Sequence, residues 1–117
     1  MKELEWLKEE IKTEAFRNAR KKIVICHFPI VKNEKQGHGM QFMAEHFGPV
    51  LKAAGIDLMI SGHLHTNAFH EAGKSGFNYP VLVNSDVSFV EVEADARVIK
   101  AVVKDVNGKI IQTYIID

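Results

Sequence analysis

Three histidines lie where short apolar runs meet turns. The stretch Asp57-Leu58-Met59-Ile60-Ser61-Gly62-His63-Leu64-His65 carries two of them, one residue apart. The stretch Ile23-Val24-Ile25-Cys26-His27-Phe28-Pro29 carries the third. Neutral imidazole is a common ligand for zinc and manganese, and two rings within three residues can point at one small volume. His27, His63 and His65 are therefore read as metal ligands. His38, His46 and His70 stand alone in polar or helical context and are read as surface or structural residues.

The elements that would deliver these rings follow from the flanking pattern. Residues 56–60, bounded by Gly55 and Gly62, and residues 22–26, closed by Pro29, are short apolar runs. Both read as buried strands, with their histidines just outside the strand ends, where open α/β sheets place ligands. Gly62 would supply the tight turn. Between them, residues 40–54 read as a helix with Met43, Phe47, Val50, Leu51 and Ala54 on one side. Gly48-Pro49 interrupts it, either as a kink or as the start of a second half, and Gly55 is a C-terminal stop. Strand, helix, strand over 22–60 is one crossover unit with parallel strands. Residues 1–20 read as a single amphipathic helix on the spacing of Leu4, Leu7, Ile11 and Ala15, with Trp6 at the border. Residues 31–39 read as a polar, flexible loop. Beyond His65 come short β-branched runs at 66–69, 79–83, 87–92, 98–103 and 110–116, separated by turn signals that include Asn107-Gly108. This half reads as an antiparallel sheet.

The two runs, in this order and with this spacing, resemble the last two signatures of the calcineurin-like metallophosphoesterases: a strand followed by x-His-x-Pro, then Gly-His-x-His. The resemblance extends over nearly the whole chain. It implies an α/β (α+β) fold, the C-terminal half of an αββα sandwich, with residues 1–117 forming the C-terminal part of one domain. It implies that His27 and His63 would bind one ion of a dinuclear pair and His65 the other, the ions being Mn, Fe or Zn. The family's Asp-x-His, Gly-Asp and Asn-His motifs have no counterpart here. The five aspartates are Asp57, Asp86, Asp95, Asp105 and Asp117, all after His27, and no Asp-x-His occurs. No catalytic residue can be assigned. The expectation is a truncated domain, with its natural N-terminus missing, whose parent hydrolyses phosphate mono- or diesters. The isolated chain would hold at most one ion, weakly, and be inactive. The alternative is a non-catalytic metal-binding or protein-interaction module.

Composition narrows the partners. Fifteen basic residues balance fifteen acidic ones, so the basic excess of a nucleic-acid surface is missing. No apolar stretch approaches the ~20 residues that span a membrane. The charged opening residues show no signal-peptide pattern, which leaves localisation open. Cys26 is the only cysteine. It would face the opposite side of its strand from His27 and serve as a buried apolar residue. Gly73-Lys74-Ser75 is read as a hairpin turn. With half of the sheet missing, exposed strand edges would favour self-association.

Overall fold

A computed structural model describes residues 2–32 and 37–117. The elements in order are α1 (Lys2–Glu10), α2 (Glu14–Asn18), β1 (Ile23–Cys26), α3 (His38–His46), α4 (Gly48–Ala54), β2 (Leu58–Ser61), β3 (Ala68–His70), β4 (Val81–Val83), β5 (Ser88–Ala94), β6 (Ile99–Asp105) and β7 (Ile110–Ile116). Strands β1 to β4 form one sheet in the order β1-β2-β4-β3, and β5-β6-β7 form a second.

The expected crossover unit is present. β1 and β2 run parallel, in register from Ile23↔Leu58 to Cys26↔Ser61. Asp57 fixes that register at the start. Its carboxylate accepts the Lys22 N–H at 2.8 Å, and its own N–H donates to the Lys22 carbonyl at 2.8 Å. The helix between the strands is divided at Phe47, with Pro49 in the first turn of α4, where its missing N–H costs no hydrogen bond. Gly55 ends α4 in the left-handed region at φ 70°.

Alternation along the central strands builds two cores. Met59, Val81 and Val83 face the helices and pack with Ile30, Phe47 and Leu51. Leu58 and Leu82 face the second sheet and pack with Ile99, Ala101 and Val103. The layers are thus helix, sheet, sheet. At about 1.5–3 kcal/mol for each fully buried aliphatic side chain, β2 and β4 are the energetic centre of the fold.

Four expectations are corrected. The N-terminal helix is broken, because Thr13 leaves the helical conformation and caps α2, its hydroxyl accepting the Phe16 N–H at 3.2 Å. A threonine side chain that offers this bond competes with continued helix. The region after His65 is not one antiparallel sheet: β4 lies parallel beside β2, and β3 pairs antiparallel with β4 at the edge. All three residues of β4 are buried, as a strand covered on both faces requires. Only β5 to β7 form an antiparallel meander, closed at 105–109 by Asp105, whose carboxylate accepts the Asn107 and Lys109 N–H groups. In the stretch expected to be a flexible loop, Val31 is buried in the helix-side core and His38 already belongs to α3; residues 33–36 lie outside the described residues. Finally, Gly62 does not take a positive φ; His63 and His65 do.

The connection between β3 and β4 closes over α4. Ser75 is fully buried there, its hydroxyl donating to the Tyr79 carbonyl at 2.8 Å and accepting the Phe77 N–H at 3.1 Å. Phe77 stacks on Tyr79, and the Tyr79 hydroxyl donates to the Ile30 carbonyl at 3.2 Å. Burial pushes the Tyr79 hydroxyl well above the ordinary tyrosine range, so it stays a neutral donor. No helix among the described residues is long and apolar enough to cross a membrane. The Phe77 ring lies so close to Gly48 that a Cβ there would clash with its outer edge. Gly48→Ala is therefore expected to destabilise the chain by about 1–3 kcal/mol through overpacking. Chemical denaturation measures this, and an unchanged midpoint would show that the ring can move aside.

Candidate metal centre

The tips of β1 and β2 are joined by one hydrogen bond beyond the last register pair: the Gly62 N–H donates to the His27 carbonyl at 3.0 Å. It holds the two exits from the sheet side by side. The chain then turns abruptly, with the Leu64 N–H donating back to the Gly62 carbonyl at 2.9 Å across His63, whose φ is 74°. A three-residue turn with a positive central φ is the rarer, strained kind. His65 follows at φ 57°. Histidine tolerates the left-handed region better than most side chains, yet each such residue still costs on the order of 1–3 kcal/mol. The strain thus falls on the two histidines and not on the glycine beside them.

The turn swings the His63 ring onto His27. His27 Nε2 and His63 Nδ1 are 3.2 Å apart, and the ring centroids 5.0 Å. Phe28 meets both rings edge-on, at 4.4 Å from His63 and 5.3 Å from His27, and fixes their orientation from one side. The nitrogen separation is compatible with a hydrogen bond between the rings. It also matches two donors on one tetrahedral ion, for which bonds of about 2.0–2.1 Å place nitrogens roughly 3.3 Å apart. His65 does not join this pair. Its Nδ1 faces Asp86 Oδ2 at 3.2 Å, with both side chains largely exposed.

Among the described residues, no three histidines, cysteines or carboxylates converge as a metal-binding group. The donor set fits one side of a single ion's coordination sphere. It does not fit a pair of ions, because among the described residues no carboxylate stands beside His27 and His63 to bridge them or offset their charge. The other histidines lie elsewhere: His38 opens α3, the His46 ring packs at a tilt against Phe42 with centroids 4.3 Å apart, and His70 closes β3. Cys26 is partly buried, and burial raises its thiol above the ordinary range, which leaves it a poor nucleophile.

Sequence reasoning reads Asn67 as a site-side or plain polar loop residue and Asn84-Ser85-Asp86 as a turn without chemistry; the structure joins them in one polar cluster. Asn67 Oδ1 accepts the Ser85 N–H at 2.9 Å. The Asn84 N–H donates to the Ser61 carbonyl at 2.8 Å, and Asn84 Nδ2 to the Ser88 carbonyl at 3.1 Å. The Ser88 hydroxyl has one proton and lies 2.6 Å from Asn84 Oδ1 and 3.0 Å from Asn67 Oδ1, so the shorter contact takes it. Ser85 and Ser88 hydroxyls are 2.8 Å apart. The Asn84-Ser85-Asp86 turn signal is visible in the sequence; its partner Asn67, 18 residues before Ser85, is not.

Because His63 is strained, glycine and alanine should differ in its place. His63→Gly is expected to be more stable than His63→Ala by about 1 kcal/mol or more. Parallel denaturation curves decide this, and equal midpoints would show that the turn relaxes when the ring is gone.

The geometry can be set against known proteins. The calcineurin-like phosphoesterase family matches over residues 1–67, a span from α1 through β2 that includes His27, His63 and His65. No curated protein matches the chain. With more than half of its length matched, the chain belongs to the calcineurin-like phosphoesterase family.

Proposed function

We propose that this chain is the histidine-supplying part of a dinuclear-metal phosphoesterase whose parent hydrolyses phosphate mono- or diesters. The observation that carries the reading is the 3.2 Å approach of His27 Nε2 and His63 Nδ1 at the tips of two adjacent parallel strands. In this reading His27 and His63 hold one divalent ion and His65 the other. Phe28 orients the first two rings, and the Gly62–His27 backbone bond keeps the strand exits in place. When bound, Mn, Fe or Zn would supply an activated hydroxide and charge stabilisation at phosphorus. The bridging carboxylates and the general acid must come from chain segments other than this one. Alone, it is inactive as a phosphatase.

One observation favours the alternative of a non-catalytic metal-binding module: no third ligand joins the His27–His63 pair among the described residues. Calorimetric titration with zinc, together with turnover of p-nitrophenyl phosphate, separates the readings. The expected result is at most one zinc ion per chain, weakly held and lost in His63→Ala, with turnover at background. A metal-dependent rate that vanishes in His63→Ala would overturn the inactivity. Two bound ions, or binding that survives His63→Ala, would overturn the ligand assignment.

We also propose that the isolated chain self-associates through β1. This strand is at the sheet's edge, and Ile25 is 82% exposed. Beside it runs an apolar groove lined by Trp6, Val24, Cys26, Met43 and Phe47. An open apolar edge is a template for pairing with another copy, and a charge on it is the usual safeguard. Light scattering at high concentration should give a mass above the monomer that falls in Ile25→Lys. A monodisperse wild-type monomer would count against the idea.

A further inference from the structure

We propose that Asp86 is a positioning residue for His65, fixing the ring's tautomer so that Nε2 is left as its metal-facing atom. The proposal rests on the reading of His65 as a ligand and deepens it. A carboxylate accepts hydrogen bonds and cannot donate one when ionised. At 3.2 Å from Asp86 Oδ2, His65 Nδ1 must therefore carry the proton. In neutral imidazole the other nitrogen is then a lone-pair donor. Ligating histidines characteristically give their second nitrogen's proton to a carboxylate or carbonyl in this manner, which sets both ring orientation and basicity.

Asp86 is held in position independently of His65. Its neighbour Ser85 is nearly buried, accepts the Val87 N–H through its hydroxyl, and donates its own N–H to Asn67, two residues beyond His65. The Asn84 N–H to Ser61 carbonyl bond ties the same loop to the end of β2. The loop that carries Asp86 and the loop that carries His65 are thus fastened to each other on both sides of the pair. Among the described residues His63 has no such carboxylate partner; its Nδ1 faces His27 Nε2 instead. The two histidines of Gly-His-x-His are accordingly set to offer different nitrogens, Nδ1 from His63 and Nε2 from His65.

The test reads the tautomer directly in metal-free protein by two-bond proton–nitrogen correlation spectra of the imidazole rings, at a pH where His65 is neutral. In the wild-type chain the His65 proton should reside mainly on Nδ1, the reverse of the preference of an unperturbed histidine side chain. In Asp86→Ala it should return mainly to Nε2, with the remaining backbone resonances unchanged because the pair is exposed. A wild-type proton on Nε2 would overturn the proposal whether or not the variant folds, and so would a tautomer that Asp86→Ala leaves unaltered. Zinc binding is a separate matter. A chain that takes up no zinc would sink the metal assignment, while the tautomer ratio would still decide the role of Asp86.

Discussion

The in-register parallel pairing of β1 and β2 is the constraint on which the rest of the structure depends. Because Cys26 faces Ser61 across the ladder, the next residues on each chain leave the sheet together. The Gly62 to His27 backbone bond extends the pairing by one step, and His63 has only to turn back to reach the His27 ring. A shift of one residue in either strand would invert its faces, putting Met59 where Leu58 belongs. Both cores oppose that shift, since each is built from alternate residues of β2 and β4. The Asp57 bonds at the other end of the pair oppose it as well. The histidine geometry is therefore set by hydrophobic packing many residues from the rings themselves.

Strain at the strand tip is the local counterpart of that rigidity. Two residues in the left-handed region within three positions would not persist on a loose loop. They persist here because both ends are fastened, β2 by its two parallel neighbours and Asn67 by the hydrogen bond it accepts from the Ser85 N–H. A sheet that holds its exit loops this tightly sets the rings before any ligand arrives. Preorganised donors of that kind lose little entropy on binding.

What could be read from the sequence was what repeats or alternates. The apolar runs before His27 and His63, the helix divided at Phe47 just before Pro49, the Gly55 stop and the Asn107-Gly108 turn each carry a local signal and lie where they were expected, although the run before His27 is a partly exposed edge strand and not a buried one. Three kinds of feature were less legible. The break at Thr13 is a competition between a side-chain bond and a helical one, and a clean spacing of Leu4, Leu7 and Ile11 hides it. β4 was legible as a strand but not as a parallel one, although its unbroken Val-Leu-Val points to burial on both faces more than to a half-solvated sheet. The displacement of the turn from Gly62 to His63 has no signature, because glycine permits a positive φ without requiring one. Asp86 was legible as part of a turn but not as the partner of His65, because only the folded loops bring the two together.

Electrostatics explains why imidazoles alone could not hold a pair of metal ions. Two unit charges 4 Å apart interact with about 4 kcal/mol at an effective dielectric near 20, so two dications at that distance repel by roughly four times as much. Neutral rings donate electron pairs without changing that sum. Each bridging or terminal carboxylate lowers it, which is why paired-ion sites depend on acidic ligands. Asp86 is engaged with His65 and does not join His27 and His63. Asp57 lies at the far end of β2, bonded to Lys22. The hydrophobic layers here can fix where histidines point, but the charge that would let a second ion stay must be contributed by residues other than those that fix them.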